Sequence, residues 1–175
     1  MARILIVYST TDGHTIKICN RLKQVIEADA HQVSLVSVAD AGQVDLRAFD
    51  KIVVGASIRY GEHNQLVFDF IKRNLPLLDS KANAFFSVNI VARKPEKNRP
   101  ETNPYMRKFL KRIAWRPKHL AVFAGKLDYP RYGFIDRQMI RFIMLLTKGP
   151  TDPATVVEFT DWQHVEAFGR RVSAM

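Results

Sequence analysis

The fold of this chain is decided by one N-terminal segment, Arg3-Ile4-Leu5-Ile6-Val7-Tyr8-Ser9-Thr10-Thr11-Asp12-Gly13-His14-Thr15. Its first residues are almost continuously apolar, which is typical of a strand that is buried on both faces. Hydroxyl-bearing residues and a glycine follow, and apolar residues then recur at helical spacing at Ile18, Leu22 and Ile26. A strand, a hydroxyl-rich turn and a helix in this order direct N–H groups and the positive end of a helix dipole at one point. The segment therefore predicts a phosphate-binding turn.

A β-hairpin is the alternative structure for the same segment. Asp12-Gly13 is a common type I′ turn, and Ile16 and Ile18 alternate as residues of a second strand would. We favour the helix because the apolar pattern continues past Thr15 for longer than a strand usually runs. Gly13 is then expected to leave the turn free of a side chain, so that a phosphate can approach closely.

Length and composition predict a single domain over residues 1–175, with 47% hydrophobic residues available for a core. No basic-then-apolar leader is present and no apolar run reaches the roughly 18 residues of a spanning helix, so we expect neither a secreted nor a transmembrane protein. Cys19 is the single cysteine, which fits a reducing compartment, and its apolar neighbours favour a packing role. The five histidines lack the spacing of metal ligands, so no metal site is predicted.

The net charge of +10 is concentrated in one block, Arg93–Lys118, which holds 10 basic and 2 acidic residues. Such a block attracts anions, whether nucleic acid, acidic lipid headgroups or a carboxylated small molecule. A solvated loop that keeps the protein soluble is an equally simple interpretation. Few aromatic residues are interleaved in the block, and this disfavours a nucleic-acid-binding module, which stacks bases on such side chains.

The rest of the chain alternates strands and helices. Four further strands are predicted, at His31–Val38, Asp50–Ser57, Ala84–Val88 and Leu120–Gly125. The alternation predicts an α/β, doubly wound, five-stranded parallel sheet of strand order 2-1-3-4-5, with a ligand crevice at the carboxyl ends of the strands.

Two segments exceed what this fold requires. One is a basic, proline-rich loop at residues 93–104, and the other is an amphipathic insertion at residues 129–150, after which Val156–Thr160 resembles the fifth strand resumed. The centre of the insertion, Phe134–Leu146, carries large apolar residues together with Arg137 and Arg141. Such a helix suits a membrane interface, with cations at the headgroups, or packing on the domain or against a second copy.

The loops after the strands should open at one edge of the sheet. The first loop lacks the glycines of G-x-G-x-x-G, which favours a mononucleotide over a dinucleotide. Tyr60, Tyr129 and Tyr132 in the later loops are able to stack on a flat ring, and Asn89 is able to bond to a ring edge. Ordinary packing is the alternative role for these tyrosines.

Several of these motifs are similar to those of a known family. The turn at residues 9–15 resembles the FMN phosphate loop of flavodoxins, T-x-T-G-x-T, with one residue more. Four further segments resemble the flavodoxin-like, quinone-dependent protoporphyrinogen IX dehydrogenases of haem biosynthesis: Gly55-Ala56-Ser57-Ile58-Arg59-Tyr60-Gly61, Ser87–Lys97, Trp115-Arg116-Pro117 and Tyr129-Pro130-Arg131-Tyr132.

The resemblance implies FMN as cofactor and oxidation of protoporphyrinogen IX to protoporphyrin IX, with hydride transfer to the flavin and menaquinone or ubiquinone as electron acceptor. It also implies peripheral attachment to the cytoplasmic face of the inner membrane, and self-association is possible through the insertion. The cofactor-binding residues expected are Ser9, Thr10, Thr11, Asp12, Gly13, His14, Thr15, Ala56, Ser57, Ile58, Arg59, Tyr60, Gly61, Ser87, Val88, Asn89, Ile90, Gly125 and Tyr129.

The substrate of that reaction has two propionates on a broad apolar body. Cations beside apolar surface are therefore expected to bind it, and the candidates are Arg93, Lys94 and Lys97 next to Phe134. No carboxylate is singled out as a general base. A flavodoxin-type electron carrier and an NAD(P)H:quinone reductase are the alternatives within the same fold, although the basic charge argues against a simple carrier.

Overall fold

The computed structural model describes residues 1–175 and places the first strand, β1 (Arg3–Ser9), between two parallel neighbours. Ile4 and Ile6 pack into one hydrophobic core, whereas Leu5 and Val7 pack into another. Successive side chains of a strand point to opposite faces of the sheet. The nearly continuous apolar run of β1 thus reflects a sheet that is covered on both sides.

The parallel sheet has the strand order predicted from the sequence. The elements, in chain order, are β1 (Arg3–Ser9), α1 (His14–Ala28), β2 (Gln32–Ser37), β3 (Lys51–Arg59), β4 (Glu62–His63), α2 (Gln65–Ser80), β5 (Ala82–Val88), α3 (Pro104–Arg112), β6 (His119–Phe123), β7 (Lys126–Asp128), α4 (Phe134–Leu146), β8 (Val156–Glu158) and α5 (Trp162–Ala174). The order across the sheet is β2-β1-β3-β5-β6, all parallel, which is 2-1-3-4-5 for the five main strands. The fold class predicted from the sequence is confirmed.

Helices cover the two faces in pairs. On one face α1 and α5 pack against β1, with Leu22 and Phe168 fully buried among the sheet residues. On the other face α2 and α3 do the same, and Phe109 of α3 stacks on Phe85 of β5 with ring centroids 4.1 Å apart. These two cores fix the edge of the sheet at which the loops between strands and helices meet.

Two short strand pairs were not foreseen. β4 pairs antiparallel with the end of β3, so that β3 runs two residues beyond the predicted Ser57. The prediction that Val156–Thr160 resumes the fifth strand is wrong, because β8 instead pairs antiparallel with β7 in a separate two-stranded sheet. The chain leaves the domain along β7 and returns along β8, and two antiparallel segments at the base of an insertion satisfy each other's backbone groups.

The insertion itself is mostly α4, and its outer face is apolar. Met144 is its single buried residue, while six large side chains are exposed: Phe134, Ile135, Met139, Phe142, Leu145 and Leu146. Arg137 and Arg141, which the membrane-interface hypothesis places at the headgroups, are half-buried and donate to the backbone carbonyls of Tyr132 and Thr151. None of the helices in the structure has both the length and the apolar character needed to span a bilayer.

Candidate functional site

The carboxyl ends of the parallel strands open onto one cleft. It encloses about 1200 Å³ of space, part of which is continuous with solvent. Fifteen of the predicted site residues line it: Thr10, Thr11, Asp12, His14, Thr15, Ser57, Ile58, Arg59, Tyr60, Gly61, Val88, Asn89, Ile90, Arg93 and Gly125. Loops that are far apart in sequence are therefore brought together where the parallel topology predicts.

The turn after β1 leads directly into α1, so the hairpin alternative is wrong. Gly13 occupies the N-cap position of the helix with a φ of 86°, and no side chain caps the helix. The amide of Gly13 donates to Oγ1 of Thr10 at 3.0 Å, which closes the turn. The first turn of α1 contains no acidic residue, and the positive end of its dipole is left without a compensating charge from the helix itself.

Several hydrogen-bond donors of this turn have no acceptor within the protein. They are the backbone amides of residues 11, 12, 14, 15 and 16. The hydroxyl of Ser9 at the end of β1 is buried and also lacks a partner. Buried polar groups are normally hydrogen-bonded, and unused amides at a helix N-terminus suit a bound anion. The residues present thus fit a phosphate group.

The backbone conformation of Gly13 favours glycine at this position. A Cβ atom built on Gly13 would meet no protein atom within 4 Å, and the effect of a side chain on the approach of a phosphate stays a prediction. Its φ of 86° lies in the left-handed region, which glycine adopts at little cost. A side chain at this position strains the turn even though there is room for it.

The ring of His14 contacts the segment where α5 begins. Its Nε2 donates to Oγ1 of Thr160 at 2.6 Å, because the Thr160 hydroxyl itself donates to the carbonyl of Ala124. Burial lowers the pKa of His14, so the ring is neutral at physiological pH. His14 therefore offers the site its backbone amide.

The second loop of the cleft joins β3 to β4. Tyr60 and Gly61 both have positive φ values, 51° and 76°, and so form a tight turn that exposes 53% of Tyr60 at the cleft. Ala56, one of the predicted cofactor residues, is fully buried beneath this turn in the parallel sheet. It supports the loop from below and does not line the cleft.

The third loop follows β5 and is held by a buried polar network. Ser87 is fully buried, and its Oγ lies 2.9 Å from Nε2 of His63 and accepts from Nδ2 of Asn89 at 3.2 Å. Burial is the main cause that lowers the pKa of His63 to about 4. A neutral imidazole and a hydroxyl therefore fix the base of this loop.

Asn89 extends the network to the basic loop. Its Oδ1 accepts from Nδ2 of Asn103 at 3.0 Å and from the amide of Ala92 at 3.1 Å. Asn103 in turn caps α3 and donates to the carbonyl of Lys97. The side chain of Asn89 is thus occupied by the protein and holds the basic loop in place.

The insertion forms the remaining wall, and one of its two predicted stacking residues, Tyr129, lies outside the cleft. Tyr129 is fully buried in a small core with Leu127, Tyr132 and Met144, and its hydroxyl donates to the carbonyl of Pro150 at 2.6 Å. It does not line the cleft, whereas Tyr132 does. The tyrosine motif fixes the path of the chain into α4.

The predicted substrate cations are not brought together. Arg93 lines the cleft, but its guanidinium donates to the carbonyls of Ile90 and Thr147 at 3.1 and 2.9 Å. Burial lowers the pKa of this guanidinium. Lys94, Lys97 and Phe134 do not line the cleft, and Phe134 is 75% exposed. Arg93 joins the third loop to the end of α4, and a free carboxylate-binding cluster is absent here.

The structure also adds residues that the sequence reasoning missed. They come from α3, from the β7 region and from the insertion: Tyr105, Lys126, Asp128, Arg131, Asp136, Ile140, Ile143, Met144 and Thr147. Ile140, Ile143 and Met144 of α4 and its C-cap residue Thr147 lie at helical spacing, on the side opposite the exposed apolar side chains. A helical-wheel plot of the sequence would have shown this face.

The chain matches the flavodoxin domain family over residues 5–154. It is 42% identical over 171 residues to the protoporphyrinogen IX dehydrogenase [quinone] of Escherichia coli K12, covering 98% of this chain and 94% of that protein. The chain belongs to the flavodoxin-type protoporphyrinogen IX dehydrogenase family. The protein of the same description from Leishmania major is 40% identical over 99% of this chain and 75% of that protein.

Solved flavodoxins share the fold at low sequence identity. The two-electron-reduced flavodoxin of Megasphaera elsdenii matches with a TM-score of 0.59 at 15% identity, covering 98% of this chain and 99% of that one. The flavodoxin of Streptococcus pneumonia TIGR4 matches with a TM-score of 0.54 at 15% identity, covering 99% of both chains. The flavodoxin domain indicates a flavin cofactor, and the phosphate-compatible turn lies where the fold opens its crevice.

Proposed function

We propose that this protein oxidises protoporphyrinogen IX to protoporphyrin IX with FMN as cofactor, and that a quinone receives the electrons. The observation that carries the proposal is the set of hydrogen-bond donors without a partner in the turn at residues 9–16. The chain is also related to the named dehydrogenases over nearly its whole length. A phosphate is the ligand these donors suit, which favours FMN among flavins.

In this proposal each wall of the cleft has a separate task. The amides of residues 14–16 and the hydroxyl of Ser9 hold the phosphate, and the loops at residues 57–61 and 88–90 position the ring system. When bound, the flavin would supply the redox chemistry: in each of three cycles it would accept a hydride from the substrate, which also loses a proton, and pass two electrons to quinone, so that six electrons are removed in all. The protein supplies orientation and exclusion of water.

The insertion supports a bulky apolar substrate. Ile140, Ile143 and Met144 of α4 line the cleft opposite the loops of the parallel sheet. A flavodoxin that only carries electrons has no need for an apolar wall above its flavin, whereas a macrocycle buries a large apolar area there.

We further propose that the outer face of α4 rests on the cytoplasmic face of the inner membrane, where quinone is dissolved. The six exposed apolar side chains of α4 and the net charge of +10 support this. Co-sedimentation with vesicles of anionic phospholipid tests it. Phe142→Gln combined with Leu145→Gln is expected to reduce binding, whereas self-association through α4 would instead make the same variant change its sedimentation velocity without lipid.

The reaction is tested with protein reconstituted with FMN under anaerobic conditions. Protoporphyrinogen IX is expected to reduce the bound flavin, and added menaquinone or ubiquinone to reoxidise it with formation of fluorescent protoporphyrin IX. Turnover of NAD(P)H with quinone, in the absence of any reaction with porphyrinogen, would identify a quinone reductase. Flavin that is reduced only by an external donor protein would identify an electron carrier.

A further inference from the structure

One ion pair joins two walls of the cleft. Nη2 of Arg59, at the end of β3, donates to Oδ2 of Asp136, in the first turn of α4, and the two residues are 77 positions apart in sequence. Both residues line the cleft. The guanidinium also lies over the Tyr60 ring, 5.3 Å from its centroid. The pair therefore connects the β3–β4 turn to α4 at the cleft.

None of the other cations of the cleft pairs with a carboxylate of another wall. Arg93 donates to backbone carbonyls at both ends of its guanidinium, and Lys126 pairs with Asp128 of its own short strand at 3.2 Å. Arg131 is exposed and has no acidic partner. Arg59 is thus the cation of the cleft whose partner is a carboxylate on α4.

This ion pair is open to exchange. The side chains of Arg59 and Asp136 keep 42% and 22% of their surface exposed. Exposed ion pairs contribute little to stability because water and salt screen them. A ligand carboxylate is chemically the same group as the Asp136 side chain, so it can replace Asp136 on the guanidinium at small cost and gain a bidentate partner.

We propose that Arg59 binds a propionate of the porphyrin substrate, and that Asp136 holds this position in the free protein as an internal carboxylate that the substrate displaces. The inference rests on the proposed function and specifies the substrate-anchoring residue of that site.

Competition between Asp136 and the substrate for Arg59 predicts a different pattern of porphyrin affinities in variants than a purely structural ion pair does. Removing Arg59 removes the anchor, whereas removing the charge of Asp136 removes the competitor. Arg59→Gln is therefore expected to weaken porphyrin binding, and Asp136→Asn to strengthen it. If the pair served only to hold α4 in place, both substitutions would loosen the same wall and both would weaken binding.

The test uses the FMN-loaded protein and protoporphyrin IX, the stable reaction product, titrated by fluorescence. Arg59→Gln should raise the Kd about tenfold, and Asp136→Asn should lower it by up to about fivefold. Arg21→Gln is the matched control, because Arg21 pairs with Glu166 at similar exposure, 44% and 26%, away from the cleft. Protoporphyrin IX dimethyl ester should bind the native protein and the Arg59→Gln variant equally.

Equal weakening by both substitutions, or an Arg59→Gln variant that binds protoporphyrin IX as the native protein does, overturns the inference while leaving the proposed function intact. Absence of porphyrin binding and of porphyrinogen oxidation by the native protein refutes the proposed function and this inference together. Arg59→Lys keeps the charge but loses the planar fork, and it should fall between the native protein and the glutamine variant.

Discussion

Replacing Gly13 by alanine tests whether the geometry of the turn at residues 9–15 controls cofactor binding. The backbone of Gly13 has a φ of 86°, and a Cβ there meets no neighbouring atom. Within the free protein the cost is therefore conformational, about 1–2 kcal/mol for an ordinary residue in the left-handed region. Asparagine tolerates this region better and should recover part of the loss.

Which measurement shows this cost depends on the conformation of the turn in the flavin-free protein. If the turn keeps its shape without flavin, the free energy of unfolding falls by about 1–2 kcal/mol, which lowers the Tm by about 2–8 °C. If the turn relaxes without flavin, it must regain the strained conformation when FMN binds, and the Kd for FMN rises by about 5- to 30-fold. Urea unfolding of the apoprotein and fluorescence titration with FMN together measure both contributions.

Gly42→Ala is the control for this experiment. Gly42 lies in a 3₁₀ turn, its φ is not positive, and a Cβ there also meets no atom within 4 Å. It should leave FMN binding unchanged and stability nearly so. The reasoning is refuted if Gly13→Ala matches Gly42→Ala in both stability and FMN affinity.

Three further substitutions test the supports of the cleft. The depressed pKa of His63, about 4 against 6.5 when unfolded, means that the unfolded state takes up a proton first as pH falls. The free energy of unfolding should drop by about 2–3 kcal/mol between pH 6.5 and 4. When urea unfolding is measured at several pH values, His63→Gln should make this drop smaller. A pH dependence that the substitution leaves unchanged would exclude His63 as its cause. Gly55→Ala places a Cβ 2.1 Å from the Phe86 ring and should cost about 1–3 kcal/mol in urea unfolding; native-like stability would contradict the close packing. Arg93→Gln removes the hydrogen bonds to Thr147 and should speed amide hydrogen exchange in α4 without loss of bound FMN. Unaltered exchange would show that Arg93 does not hold α4 against the third loop.

The sequence predicted the parts of this fold that local patterns encode. The apolar run of β1, the helical spacing after Thr15 and the repeated strand–helix order are properties of neighbouring residues, and parallel topology then brings their loops together. The cleft residues of the first three loops follow from that topology alone, since carboxyl ends of parallel strands share one edge.

What the sequence did not predict depends on long-range partners. β4 has two residues and exists because β3 lies beside it, and β8 pairs with β7 for the same reason. Tyr129 and Arg93 look like ligand-binding residues in isolation, yet Tyr129 is enclosed by the small core of the insertion and Arg93 finds the carbonyl of Thr147. No periodicity indicates which polar side chain will meet a backbone carbonyl 54 residues away.

The most direct test of this account is a crystal structure of the protein with FMN bound. The phosphate oxygens are expected within about 2.7–3.2 Å of the amides of residues 14–16, with the ring system between the loops at residues 57–61 and 88–90. A phosphate bound elsewhere, or amides of residues 14–16 that contact only water in the holoprotein, would contradict the account.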